Sequence, residues 1–197
     1  MNAGKIINLF HPIYVDDFDL LIATGGNTAY ISASLGKNNN IKVIQIGSVK
    51  GIDLENYSAH ITIEAKDKSP NNIVTTLAPT RYSPIETINR EKQNKALFLI
   101  GGDGSGYKYN LDDWSELVRN IKKLKDESNI SPIIVTSRRT SKAHEEFLYE
   151  QTLTFSSPAS IWFHKDGTNA DLSILFNQVD SIFVTEESSM MITEAIS

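Results

Sequence analysis

The sequence has no cysteine among its 197 residues, which excludes disulfide bridges, thiolate metal sites and cysteine nucleophiles. Its four histidines are scattered without metal-ligand spacing, so no metal site is expected. Positive charge is also scarce. Lysine and arginine total 19 against 24 acidic residues, a formal net charge of −5. Such a chain is no general nucleic-acid binder, because phosphate backbones attract basic surfaces, and only a local basic pocket remains open. Long hydrophobic runs are missing too. The apolar stretch from Ile6 to Phe10 follows a single lysine and stops at His11 and Pro12, so it fits neither a signal peptide nor a membrane helix. A cytoplasmic protein without a transmembrane segment is the expectation. What is present, 40% hydrophobic and 22% charged residues, suffices for a real core in one domain or two small ones.

Glycine is not abundant, yet four glycines fall within ALFLIGGDGSGYKY, Ala96 to Tyr109. The continuous apolar run from Ala96 to Ile100 is the pattern of a strand covered on both faces, as in parallel sheets between helices. Gly101, Gly102, Gly104 and Gly106, with Ser105 among them, can take positive φ and bring backbone N–H groups close to a ligand. Beyond them Leu111, Trp114, Leu117, Val118, Ile121 and Leu124 recur at helical spacing, with Asn110 as the N-cap. Strand, glycine loop and helix form the anion-cradling unit of nucleotide-binding sheets. The standard fingerprints nevertheless fail. A P-loop needs Lys and then Ser or Thr after its last glycine, and here Tyr107, Lys108 and Tyr109 follow. The dinucleotide pattern would put Tyr107 in the place of its third glycine, so no dinucleotide cofactor is expected. GGDGS does resemble the phosphate loop of NAD kinases and diacylglycerol kinases, over these few residues alone. The plain alternative is a tight strand-to-helix turn without a ligand.

Along the chain, Phe18 to Thr24 predicts a buried strand running into Gly25, Gly26, Asn27 and Thr28 and a short helix to Leu35, closed by Gly36 and the polar run after it. Ile41 to Gly47 is the next strand, and His60 to Ala65 and Asn72 to Leu77 are weaker strand candidates. Pro79, Pro84 and INREKQNK mark a connection, with a boundary near Lys92. This gives an N-terminal α/β lobe over 1–92 and a C-terminal Rossmann-like lobe over 93–197, each opening on a strand and a paired glycine. In the second lobe Ile133 to Thr136 predicts a strand ending in Ser137, Arg138 and Arg139 before a helix from about Lys142. Two guanidinium groups at a strand exit can hold a diphosphate through paired hydrogen bonds, and the alternative is a pair of surface charges. SIWF, Ser160 to Phe163, suggests another strand, followed by an amphipathic segment from Leu172 to Val179. Ser181 to Thr185 is the last strand. Ser188 and Ser189 stand where they would cap the following helix or meet phosphate oxygen, Glu194 could accept from ribose hydroxyls, and Met190 and Met191 suit core packing.

Taken together, LFLIGGDGSGY, IIVTSRRTS and SIFVTEESSMMITEA, with FDLLIATGGNTA and IKVIQIG before them, resemble the mitochondrial-fission ELM family and its bacterial relatives. Those proteins look like glycosyltransferase-B enzymes. The resemblance implies an α/β fold of two Rossmann-like lobes with parallel sheets, here incomplete at both ends. It implies a nucleoside-diphosphate sugar as substrate and no cofactor. Gly101, Gly102, Gly104, Ser105, Gly106, Ser137, Arg138, Arg139, Ser188, Ser189 and Glu194 would bind it, and Thr24, Gly25, Gly26 and Asn27 would lie at a first-lobe cleft. No catalytic residue is assigned. Two departures from the family pattern are Asn169, Ala170 and Asp171 in place of Asn-Pro-Tyr, and Glu187 in place of Asp. The label nucleoside-diphosphate-sugar epimerase, carried by some relatives, would need a dinucleotide glycine pattern and a Tyr-x-x-x-Lys pair, and neither is present. A non-enzymatic interaction protein of the fission type and a GGDG-type kinase are the alternatives. An incomplete second lobe would expose an apolar edge, which a homodimer could cover.

Overall fold

Apolar runs alternating with helical segments give two separate parallel sheets, in a computed structural model that describes residues 17–65, 69–80, 82, 93–104 and 106–196. The chain divides into one unit ending at Pro79 and a second beginning at Thr80. The architecture is mixed α/β, that of two Rossmann-like lobes. The boundary expected near Lys92, the apolar stretch from Ile6 to Phe10 and Ser105 lie outside the described residues. Among the described residues no helix is long and apolar enough to cross a membrane.

In the first unit β1 (Leu20–Thr24), β2 (Lys42–Ile46), β3 (Ala59–Thr62) and β4 (Asn72–Val74) lie side by side in chain order, all parallel. Helix α1 (Gly26–Asn39) joins β1 to β2. It buries Ala29, Ala33 and Leu35, and Ala33 packs in a small core with Val43, Leu54 and Tyr57. Polar groups on that face are bonded. The Gln45 amide accepts from Ser32 Oγ at 3.1 Å and donates to the Gly25 carbonyl at 3.2 Å, and Tyr57 donates to the Ala29 carbonyl at 3.0 Å. The helix expected to close at Gly36 instead runs through it to a left-handed Asn40, φ 55°. Gly36 is a packing glycine there: a Cβ on it would lie 2.4 Å from Val43 Cγ2, so the missing side chain is what lets the helix approach the sheet.

In the second unit β5 (Lys95–Ile100) is the central strand of the order β6-β5-β7, with β6 (Ser131–Thr136) and β7 (Ser181–Val184) parallel to it. Its apolar run is covered on both sides, as its composition predicts. Ala96, Phe98 and Ile100 pack with Trp114, Ile121, Leu148 and Trp162, while Leu97 and Leu99 pack with Ile133, Leu175, Phe176 and Val179. Helix α2 (Leu111–Ser128) begins at a reciprocal cap in which Asn110 Oδ1 accepts from the Asp112 and Asp113 amides and Asp113 accepts from the Asn110 amide at 2.7 Å. Helix α3 (Lys142–Thr152) follows β6. The strand expected over SIWF shrinks to one bridge, Ile161 to Val135. Side chains take the donors a ladder would need: Asp166 accepts from the Trp162 amide at 2.7 Å and Thr136 Oγ1 from the Phe163 amide at 2.8 Å. The backbone therefore turns into the short α4 (Phe163–Asp166). After α5 (Leu172–Phe176) and β7 the described chain ends in α6 (Ser189–Ile196), where Met191 joins the core but Met190 is exposed.

Alanine for glycine inside a helix ordinarily stabilises by about 1 kcal/mol. Gly36→Ala should instead destabilise by about 1–3 kcal/mol in urea denaturation, because the new methyl overpacks against Val43. In a Val43→Ala background the same substitution should turn stabilising.

Candidate functional site

Because β5, β6 and β7 are parallel, their exits emerge at one edge of the sheet, and the register sets Ile100 beside Thr136 and Leu99 beside Val184. Three turns therefore meet. Thr140, which ends the β6 turn, bonds through Oγ1 to the Ile100 carbonyl at 3.1 Å and to the Gly101 carbonyl, and it accepts from the Ser137 amide at 3.1 Å. His164 Nε2 lies 2.7 Å from the Thr140 carbonyl and braces the same turn from α4.

The glycines permit this closeness. A Cβ at Gly102 would fall 2.1 Å from the Arg139 carbonyl oxygen, and one at Gly101 would fall 1.5 Å from Glu187 Oε1. Glu187 is only 2% exposed. Its carboxyl accepts from the Gly102 amide at 3.0 Å, from Tyr109 Oη at 2.9 Å and from Thr185 Oγ1 at 3.2 Å, while Thr185 Oγ1 accepts from the Gly101 amide at 2.9 Å. The first two amides of the glycine loop are thus turned inward onto the β7 exit. The loop then closes on itself: Gly104 and Tyr107 exchange amide-to-carbonyl bonds of 3.1 and 2.9 Å, with Gly106 at φ 92°. Asp103 accepts from the Tyr109 amide at 3.0 Å.

Beyond this sealed turn stands Arg139. Its Nη2 donates to Ser188 Oγ at 2.7 Å, and a Cβ on Gly104 would lie 2.9 Å from its Nη1. The guanidinium is half-buried, and among the described residues it has no carboxylate partner. Ser188 is 2% exposed and also accepts from the Met191 amide at 3.4 Å, the capping role its position suggests. The structure thus brings Gly101, Gly102, Gly104, Ser137, Arg139 and Ser188 together. Ser137 Oγ accepts from the Arg139 amide at 3.2 Å, so it shapes the turn that carries the guanidinium. Arg138 and Ser189 are exposed beside them, and Glu194 is half-buried in the second turn of α6. In the first unit Thr24 and Gly25 end β1, Gly25 takes φ 83°, its amide donates to the Ile46 carbonyl at 3.2 Å, and α1 starts at Gly26 and Asn27.

Residue types alone did not single out Tyr109, Thr140, Thr185 or the binding role of Glu187. Each acts through contacts with chain roughly 40 to 85 residues away, which no local pattern encodes. Tyr109 carries the clearest electrostatic consequence. Burial, the hydrogen bond it donates to Glu187 and the charge of that carboxyl hold its phenol well above the ordinary value of 10.0.

A family model described as mitochondrial fission ELM1 matches residues 5–197, and the chain belongs to that family. No curated protein matches it significantly.

Tyr109→Phe should cost about 1–3 kcal/mol at neutral pH, because it leaves a buried acceptor with one donor fewer. A phenol whose folded value is raised ionises first in the unfolded chain, so its contribution is complete below pH 10.0 and declines as the pH rises beyond it. Urea denaturation from pH 8 to 11 should therefore show a steeper alkaline loss for the parent than for the variant.

Proposed function

We propose that the second unit binds the phosphates of a nucleoside diphosphate sugar at Arg139, as the donor lobe of a glycosyltransferase-like protein. The observation that carries this is the half-buried guanidinium at the junction of three strand exits, without a carboxylate partner among the described residues. A cation in partly desolvated surroundings attracts an anion far more strongly than one in bulk water. Its remaining N–H groups suit the parallel hydrogen bonds that phosphate oxygens accept. Ser188 fixes the side chain from one side, and the start of α6 adds the partial positive charge of a helix N-terminus. In transfer of a sugar the departing nucleoside diphosphate gains negative charge. A fixed guanidinium aimed at that charge lowers the barrier, because it needs no reorganisation as the bond breaks. The exposed Arg138, on the same turn, is free to contribute a second, weaker contact.

A second reading follows from the inward-turned amides of Gly101 and Gly102 together with the family description. With those donors bonded inside the fold, the site would hold a nucleotide as a bound effector of a fission-type interaction protein, without transferring the sugar. The kinase reading gains least, since a GGDG phosphate loop works by presenting its amides outward.

Arg139→Ala should weaken binding of a nucleoside diphosphate by about 1.5–3 kcal/mol, tenfold or more, in isothermal titration. Arg138→Ala should lose less, and Lys122→Ala, whose ammonium pairs with Asp126 at 2.6 Å on α2, should match the parent. Equal affinity of parent and Arg139→Ala would remove the phosphate seat. Binding without release of sugar from any of a panel of nucleoside diphosphate sugars would favour the second reading.

A further inference from the structure

The loop after β5 ends in a feature that phosphate binding leaves unused. Tyr107 is 41% exposed although it is an aromatic residue, in the same loop as Gly104. It is not a loose surface side chain. Its backbone is locked to Gly104 by the paired bonds of 3.1 and 2.9 Å. One face of its ring lies on Tyr109, with centroids 6.4 Å apart and planes within 16°. Tyr109 in turn packs on Trp114 at 5.4 Å, and Trp114 on His144 at 5.0 Å, so a ladder of rings runs from the surface into the core. The Tyr109 hydroxyl is tied to buried Glu187, which fixes the second rung.

This ladder is anchored to the anion seat. Gly104 lies against the guanidinium of Arg139, and its hydrogen-bonded partner across the turn is Tyr107, about 5.5 Å away between Cα atoms in a pair of this kind. The glycine that meets the cation is thus paired directly with the residue that carries the rigid aromatic face. We propose that Tyr107 is the stacking platform for the base of the nucleotide whose phosphates Arg139 holds, so that the ligand is a nucleotide and not a simple phosphate ester. The proposal rests on the phosphate reading above and adds the base to it. Stacking uses the π-face common to all bases, so the platform tolerates purines and pyrimidines, with larger ring overlap for a purine. Because the ring is already fixed by its neighbours, little side-chain freedom is lost when a base settles on it.

The test compares ADP, UDP and inorganic pyrophosphate by isothermal titration against the parent, Tyr107→Ala and Tyr107→Phe. Tyr107→Ala should weaken ADP and UDP by about fivefold to a hundredfold, more for ADP, and leave pyrophosphate unchanged. Tyr107→Phe keeps the ring and should bind all three like the parent. An unchanged affinity of Tyr107→Ala for both nucleotides would overturn the platform while leaving the phosphate seat standing. An equal loss for pyrophosphate would overturn it too, since the substitution would then be acting through the turn. If pyrophosphate and both nucleotides fail to bind the parent, the phosphate reading falls and takes the platform with it.

Discussion

A buried carboxyl holds the second unit's working edge together. Glu187 sits at 2% exposure with no basic side chain paired to it among the described residues, and its acceptor capacity is met by an amide from the β5 exit, a phenol beyond the glycine turn and a threonine of its own exit. An acid placed so deep is costly unless donors surround it, and these come from segments far apart in sequence. The carboxyl therefore ties the β5 loop to β7 from inside, and Thr140 ties the same loop to β6. Arg139 stands where it does because these two ties fix the turns around it.

The glycines show how one residue type serves different physical ends. Gly101 and Gly102 are needed because a carboxylate and a backbone carbonyl occupy the space of a Cβ, and Gly36 because a helix presses on a valine. Gly106 and Gly25 are needed for their positive φ. A cluster of glycines after a strand suggests amides offered to a phosphate, and here the first two face the other way. The cation of this edge, Arg139, lies one step further out, beside Gly104 and bonded to Ser188.

Much of the fold was legible because it depends on local pattern. The run from Ala96 to Ile100 has no polar residue, so it could only be a strand covered on both faces, and α2 announced itself by period and by Asn110. The convergence of the glycine, arginine and serine segments followed from parallel strands alone, since parallel exits share an edge. What escaped was decided by partners distant in sequence. SIWF has strand composition, yet Asp166 and Thr136 take the amides of Trp162 and Phe163. Gly36 looked like a helix stop because a glycine's packing neighbour across the sheet cannot be read from its own surroundings. Glu187 registered only as a departure from Asp, while its burial and bonds depend on Gly102, 85 positions earlier.

The order of strands also sets when the site can exist. The first unit's sheet pairs each strand with its neighbour in sequence, so it can assemble as residues 20–74 leave the ribosome. The second cannot do so. Its central strand waits for β7, whose first residue comes 81 positions after the last residue of β5, with β6 on the other side meanwhile. Closing such a span carries a loop entropy that only the finished contacts offset, and the unfinished strand edge is open to wrong pairing until then. Since Glu187 and Ser188 follow β7 closely, the glycine turn and Arg139 acquire their final partners only once β7 has been made. The turns that carry Arg139 are therefore not fixed on the nascent chain before β7 has docked.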